Sequence, residues 1–173
     1  MTFFGIITYV FATSTETSKC QEVTALKGLN PTKFYKGTWY VTHARNPTAP
    51  LTCVKYYTSE SQGDTLIIKY DNNEGAKQIG HCETSKEMKE DQKVPFICTS
   101  NGSDNIQLEV KLIYTDYENF GVFYRCIKTG DTFIEDNFLA LSRKRTSEEI
   151  PEFVKSLLPK QVSFSKCPSI PEA

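Results

Sequence analysis

Ile106-Gln107-Leu108-Glu109-Val110-Lys111-Leu112-Ile113-Tyr114 is the stretch whose reading decides the fold. Ile106, Leu108, Val110, Leu112 and Tyr114 alternate with Gln107, Glu109 and Lys111, and only Ile113 breaks the pattern. A period of two is a β-strand with one buried face. Working outward, Gly37–Arg45, Val54–Thr58, Thr65–Tyr70, Val94–Thr99, Phe120–Ile127 and Phe133–Ser142 read as further strands. Asp71-Asn72-Asn73-Glu74-Gly75 and Lys128-Thr129-Gly130-Asp131 carry hairpin-turn chemistry. Strands in succession, without helical periods between them, predict an antiparallel sandwich or an up-and-down barrel.

A helical period occurs only near the C-terminus. Ile150, Phe153, Val154, Leu157 and Leu158 fall at i, i+3, i+4, i+7 and i+8, one apolar stripe that predicts a helix packed outside the sheet. Thr146 and Glu149 resemble a capping box, Pro151 moves the start later, and Pro159 ends the helix.

The chain has 173 residues, 39% hydrophobic and 24% charged, which fits one globular domain with a real core and excludes a disordered tail or a separate cofactor lobe. Lys plus Arg number 20 and Asp plus Glu 21, for a net charge of −1. No block of like charge marks a nucleic-acid or membrane footprint. Met1 to Ala12 is uncharged and apolar, too short to span a bilayer, and suits a secretory h-region. Residues 1–12 are therefore expected to be a signal peptide, one whose missing basic n-region is read as a truncated start, and 13–173 a single domain. A buried N-terminal strand is the alternative.

The six cysteines are Cys20, Cys53, Cys82, Cys98, Cys126 and Cys167. They form no CxxC pair, and His43 and His81 complete no zinc-finger spacing, so three disulfides in an oxidising compartment are expected rather than a metal site. Asn101-Gly102-Ser103 is a sequon that makes Asn101 a glycosylation candidate. No nucleophile motif, paired-carboxylate motif or phosphate loop is visible, and an enzyme is not expected.

Three motifs stand in order: Gly37-Thr38-Trp39, Thr115-Asp116-Tyr117, and Arg143 after the last strand. This resembles the lipocalin signature, and implies an eight-stranded antiparallel up-and-down barrel with Trp39 across its closed end and Arg143 packed over the indole. Cys20, the run Trp39-Tyr40-Val41-Thr42, Cys53, Cys126 and Cys167 narrow it. They look like the salivary lipocalins of blood-feeding triatomine bugs: nitrophorins, pallidipin and triabin types, and leukotriene and biogenic-amine binders. The resemblance spans Cys20 to Cys167. It implies Cys20–Cys126 and Cys53–Cys167, leaving Cys82–Cys98, whereas spacing alone allows 15 connectivities. Nitrophorins hold haem through a His on the fourth strand. Lys69, in Leu66-Ile67-Ile68-Lys69-Tyr70-Asp71, occupies the matching position and is no haem ligand, so no cofactor is expected.

On the barrel that the resemblance implies, pleating gives an inward set: His43, Arg45, Tyr56, Lys69, Leu108, Val110, Tyr114, Phe123, Arg125, Glu135 and Asn137. Arg45, Lys69 and Arg125 favour an amphipathic anion, with Tyr56, Tyr114 and His43 available to a ligand hydroxyl. What the family implies is a secreted salivary monomer that scavenges an eicosanoid (a leukotriene or thromboxane) and so damps platelet aggregation, vasoconstriction or inflammation. The alternatives are a biogenic amine held by Glu135 and Asp136, ADP held by the cations, or a clotting protease bound on the outer surface as in the triabin type.

Overall fold

The computed structural model describes residues 19–49, 51–71, 79–85, 93–100, 103–145 and 149–168. The expected signal peptide, Asn101 and Thr146 lie outside them. Among the described residues the chain forms α1 (Pro31–Phe34), β1 (Gly37–Ala44), β2 (Lys55–Ser61), β3 (Thr65–Asp71), β4 (Ile79–Ser85), β5 (Lys93–Ser100), β6 (Ser103–Thr115), β7 (Phe120–Thr129), β8 (Thr132–Ser142), α2 (Glu152–Lys155) and β9 (Ser165–Lys166). Strands β2 to β8 pair antiparallel in sequence order, and β8 returns to β1. The sheet closes because β1 also pairs with β2, from Gly37↔Thr58 to Tyr40↔Lys55. This is the eight-stranded antiparallel barrel. After Tyr40, β2 turns away, and β9 takes the vacated edge through His43↔Lys166 and Ala44↔Ser165.

The alternation in β6 places Leu108, Val110 and Leu112 in the barrel core with Trp39, Val41, Leu66, Phe96, Phe123 and Leu139. A second core lies outside the barrel, where Ile113, Val122, Tyr124, Phe138 and Ala140 meet Ile150, Val154 and Leu158. The C-terminal helix therefore packs outside, as expected, but is one turn long. Pro151 brings no N–H, and after Lys155 the chain tightens into i→i+3 bonds, Leu157 N to Val154 O at 3.0 Å and Leu158 N to Lys155 O at 3.2 Å, before Pro159. Of the predicted stripe, Phe153 and Leu157 stay about half exposed, at 53% and 50%.

Three elements were not read from sequence, the two-residue β9 among them. α1 starts where Asn30 Oδ1 accepts from Lys33 N at 3.1 Å, with Pro31 in the first turn. β4 was hidden by Gly80, which pairs with Tyr70 and leaves room for its ring; a Cβ there would fall inside the ring. All three expected disulfides are present: Cys20–Cys126, Cys53–Cys167 and Cys82–Cys98, with Cα separations of 5.7, 5.7 and 4.0 Å.

Candidate functional site

At one end of the barrel Arg125 points inward from β7, between Phe123 and Ile127, and is 2% exposed. A guanidinium so far from water needs acceptors on every side. Arg125 donates to Leu51 O at 2.7 Å, to Thr52 Oγ1 at 3.2 Å and to Glu135 Oε1 at 2.7 Å. It also bonds the Tyr56 side chain. Asn137, wholly buried on β8, donates to Asn46 O at 2.9 Å and accepts from Asn46 N at 3.1 Å. Barrel side chains thus pin both ends of the segment from Asn46 to Thr52, and Leu51 roofs the interior with a left-handed φ of 55°. That conformation is strained for a leucine.

Beneath this roof is a mouth cavity of about 40 Å³, walled by Ile68, Ile106, Leu108 and Ile127, with Tyr56, Tyr70 and Arg125 as its polar groups. Burial pushes the Tyr56 phenol up against the opposing pull of Arg125, and burial together with Tyr56 pushes Tyr70 up. Both are neutral hydroxyls at physiological pH. A deeper cavity of about 20 Å³ is lined by Phe34, Tyr35, Trp39, Thr58, Val110 and Leu141, and it shares Tyr56, Ile68 and Leu108 with the first.

The far end is plugged. Trp39 is 1% exposed and donates from Nε1 to Phe34 O at 2.9 Å. The Arg143 guanidinium lies 3.5 Å from the indole centroid. It donates to Lys36 O at 2.6 Å, Thr38 O at 3.0 Å, Tyr117 O at 3.2 Å, Phe34 O at 3.3 Å and Lys33 O at 3.4 Å. One planar cation therefore ties α1, β1 and the β6–β7 turn together. In that turn, burial raises the Asp116 carboxyl, but bonds from Phe120 N (2.8 Å) and Asn119 N (2.9 Å) outweigh it and hold the group below its ordinary value.

Of the residues expected inside, Tyr56, Leu108, Val110, Phe123, Arg125, Glu135 and Asn137 do converge on the interior or its mouth. Four do not. A register shift between Val41 and His43 reverses the parity of β1, so that Ala44 joins the barrel core while His43 and Arg45 turn outward. His43 sits against Thr42 and β9, with Nδ1 3.0 Å from Thr42 Oγ1. Arg45 stacks on Phe138 and meets Asp136 Oδ1 at 2.6 Å, while Asp136 also accepts from Tyr124 at 2.9 Å. Asp136 is thus an outer-face residue. A second shift, between Leu112 and Tyr114, turns Tyr114 outward onto Phe120 and Phe153. Lys69 is exposed because β3 faces inward through Leu66, Ile68 and Tyr70. Its stretch is moreover the third strand, not the fourth.

Sequence reasoning missed Tyr35, Tyr70, Leu51 and Thr52. Tyr70 could have been found by correct parity on β3, whereas nothing in the local pattern marks the other three. Among the described residues no group of three or more His, Cys, Asp or Glu gathers as a metal site. The arrangement is built to surround a molecule, with hydroxyl and guanidinium donors set in apolar walls.

Comparison with known proteins fits this geometry. A family model described as Triabin matches residues 12–157. Triafestin-1 of Triatoma infestans is 31% identical over 155 residues, covering 82% of this chain and 75% of its own length. Triabin of Meccus pallidipennis is 28% identical over 149 residues, covering 86% and 92%. Among solved structures, LTBP1 in complex with leukotriene C4 superposes with a TM-score of 0.63 at 28% identity, covering 83% of this chain and 88% of that one. Three disulfides fit an extracellular protein. In sequence and in architecture, this chain belongs to the Triabin family of triatomine salivary lipocalins.

Proposed function

We propose that this protein is a non-catalytic, secreted scavenger that sequesters a small amphipathic anion of the eicosanoid class, a leukotriene or thromboxane, inside its barrel. The observation that carries the reading is the mouth cavity, where apolar walls surround a buried guanidinium and two phenols. A carboxylate head takes the place of Glu135 on Arg125, Tyr56 and Tyr70 donate to it or to a hydroxyl, and the hydrocarbon lies along Ile68, Leu108 and Phe123. The similarity to a leukotriene C4 complex supports the class. Sites for molecules of this size run to about 300–1,000 Å³, so Leu51 and Thr52, which both bond Arg125, move aside and the aromatic side chains below them repack as the ligand enters.

The test is calorimetric titration with leukotriene C4, a thromboxane mimic, serotonin, norepinephrine and ADP. An eicosanoid alone should bind tightly. The pair Arg125→Met with Glu135→Gln, which leaves neither charge buried alone, should weaken it about tenfold, or ~1.4 kcal/mol. Binding of an amine without an eicosanoid overturns the reading in favour of an acidic mouth centred on Glu135. Silence from the whole panel favours the second reading, a protein target on the outer surface. That reading draws support from how little space the closed interior leaves.

A further inference from the structure

One wall of the deep cavity, Tyr35, carries a hydroxyl that no contact among the described residues explains. Tyr35 directly follows α1 and is 2% exposed, with its ring edge-on to Phe34 at 5.0 Å and 5.6 Å from Phe96. Its hydroxyl is buried and, among the described residues, has no hydrogen-bond partner. Buried hydroxyls are nearly always paired, and an orphan in a native interior calls for a reason. The other polar atoms at this end are committed: Trp39 Nε1 to Phe34 O at 2.9 Å and Thr58 Oγ1 to Gly37 O at 2.8 Å. Phenylalanine would fill the same volume without the cost of an unpaired hydroxyl.

The deep cavity is separated from the mouth cavity by Tyr56, Ile68 and Leu108, the side chains common to both. A turn of the Tyr56 ring, which lines both, would join the two into one channel from Arg125 to Trp39. A ligand with its anionic head at Arg125 then brings its tail to Tyr35.

We infer that the deep cavity is a second subsite, in which the Tyr35 hydroxyl donates to a carbonyl or other acceptor oxygen on the distal part of an elongated, anionic-headed ligand. The inference rests on the barrel-binding reading above and narrows it, because a plain hydrocarbon tail leaves the hydroxyl unpaired and an oxygenated one does not. Burial pushes the Tyr35 phenol up, so it stays a protonated donor.

Hexadecanoic acid and its keto derivatives, with the carbonyl stepped along the distal half of the chain, are titrated into the native protein and into Tyr35→Phe. Binding is read by calorimetry and by emission of Trp39, the single tryptophan and a wall of the deep cavity. At least one keto acid should bind about fivefold or more tighter than the parent acid and shift Trp39 emission. Tyr35→Phe, which keeps the ring and its packing, should abolish that preference while still binding the parent acid. A preference that survives Tyr35→Phe overturns the subsite. So does equal binding of all the acids, or binding that leaves Trp39 emission unchanged, and in these cases the mouth site stands. If no acid binds while leukotriene C4 or the thromboxane mimic does, the subsite falls and the barrel-binding reading stands; if neither the acids nor the eicosanoids bind, both fall.

Discussion

Replacing Arg143 by lysine keeps the charge and removes the geometry, and the structure says how much that costs. The guanidinium lies over the Trp39 ring at 3.5 Å and spreads donors over five carbonyls. An ammonium offers three donors from one point and cannot stack as a plane. With two charged hydrogen bonds lost at about 1 kcal/mol each after partial rehydration, and about 1 kcal/mol of cation–π attraction, Arg143→Lys should destabilise by about 3 kcal/mol. For an m-value of about 2 kcal/mol/M that moves the urea midpoint down by about 1.5 M. Emission of Trp39, with disulfides intact, follows the transition from the site itself. A midpoint within about 0.3 M of the parent would refute the claim that this cation holds the closed end together, and the five carbonyls would then be equally well served by water.

Three other expectations can be checked by the same unfolding experiment. Arg125→Met should cost about 2–4 kcal/mol, because Glu135 is left partly buried without its partner; adding Glu135→Gln should recover at least about 1 kcal/mol in a double-mutant cycle. Replacing Cys53 and Cys167 by serine opens a link between residues 114 apart and should cost about 4–5 kcal/mol in the chain-entropy model. The same change at Cys82 and Cys98, 16 apart, should cost about 3 kcal/mol, and the reverse ranking would point to strain or residual unfolded structure. His43 is held below its ordinary pKa first by burial and then by Lys166, with Glu149 opposing. The unfolded chain therefore takes up this proton first, at a pKa of about 6.5, and stability should fall as pH drops below that value and level off beneath the folded pKa. His43→Gln should flatten that part of the pH profile, and an unchanged slope would assign it to other groups.

Periodicity was a good guide wherever one face of a strand is apolar and the other polar. In β6 it placed Leu108 and Val110 correctly, and the one break it contained, Ile113, turns out to be where the register shifts and Tyr114 leaves the interior. The same signal was misread as a lapse in an otherwise regular strand. In β3 the run Leu66-Ile67-Ile68 is apolar in both parities, so alternation could not choose a face, and Lys69 was assigned to the wrong one. The shift in β1 that ejects His43 and Arg45 leaves no mark in Val41-Thr42-His43-Ala44, since each of these residues is at home in a strand. Tyr35 precedes the first strand and belongs to no period. Its importance comes from what surrounds it in space. The disulfide pairing and the Trp39–Arg143 plug came from resemblance to a family rather than from pattern.

The seam along β1 bears on how the chain folds. Strands β2 to β8 each pair with the next in sequence, so most of the sheet is assembled by short hairpin closures. β1 also pairs with its neighbour β2, but its remaining pairings differ: Tyr40 and Val41 join Ser142 and Leu141, and His43 and Ala44 join Lys166 and Ser165. Those contacts carry the largest loop-closure entropy in the barrel and cannot form until nearly the whole chain exists. A meander that zips first and a cylinder that shuts last is the order this connectivity favours, with Cys20–Cys126 and Cys53–Cys167 recording the late, long-range step in covalent form.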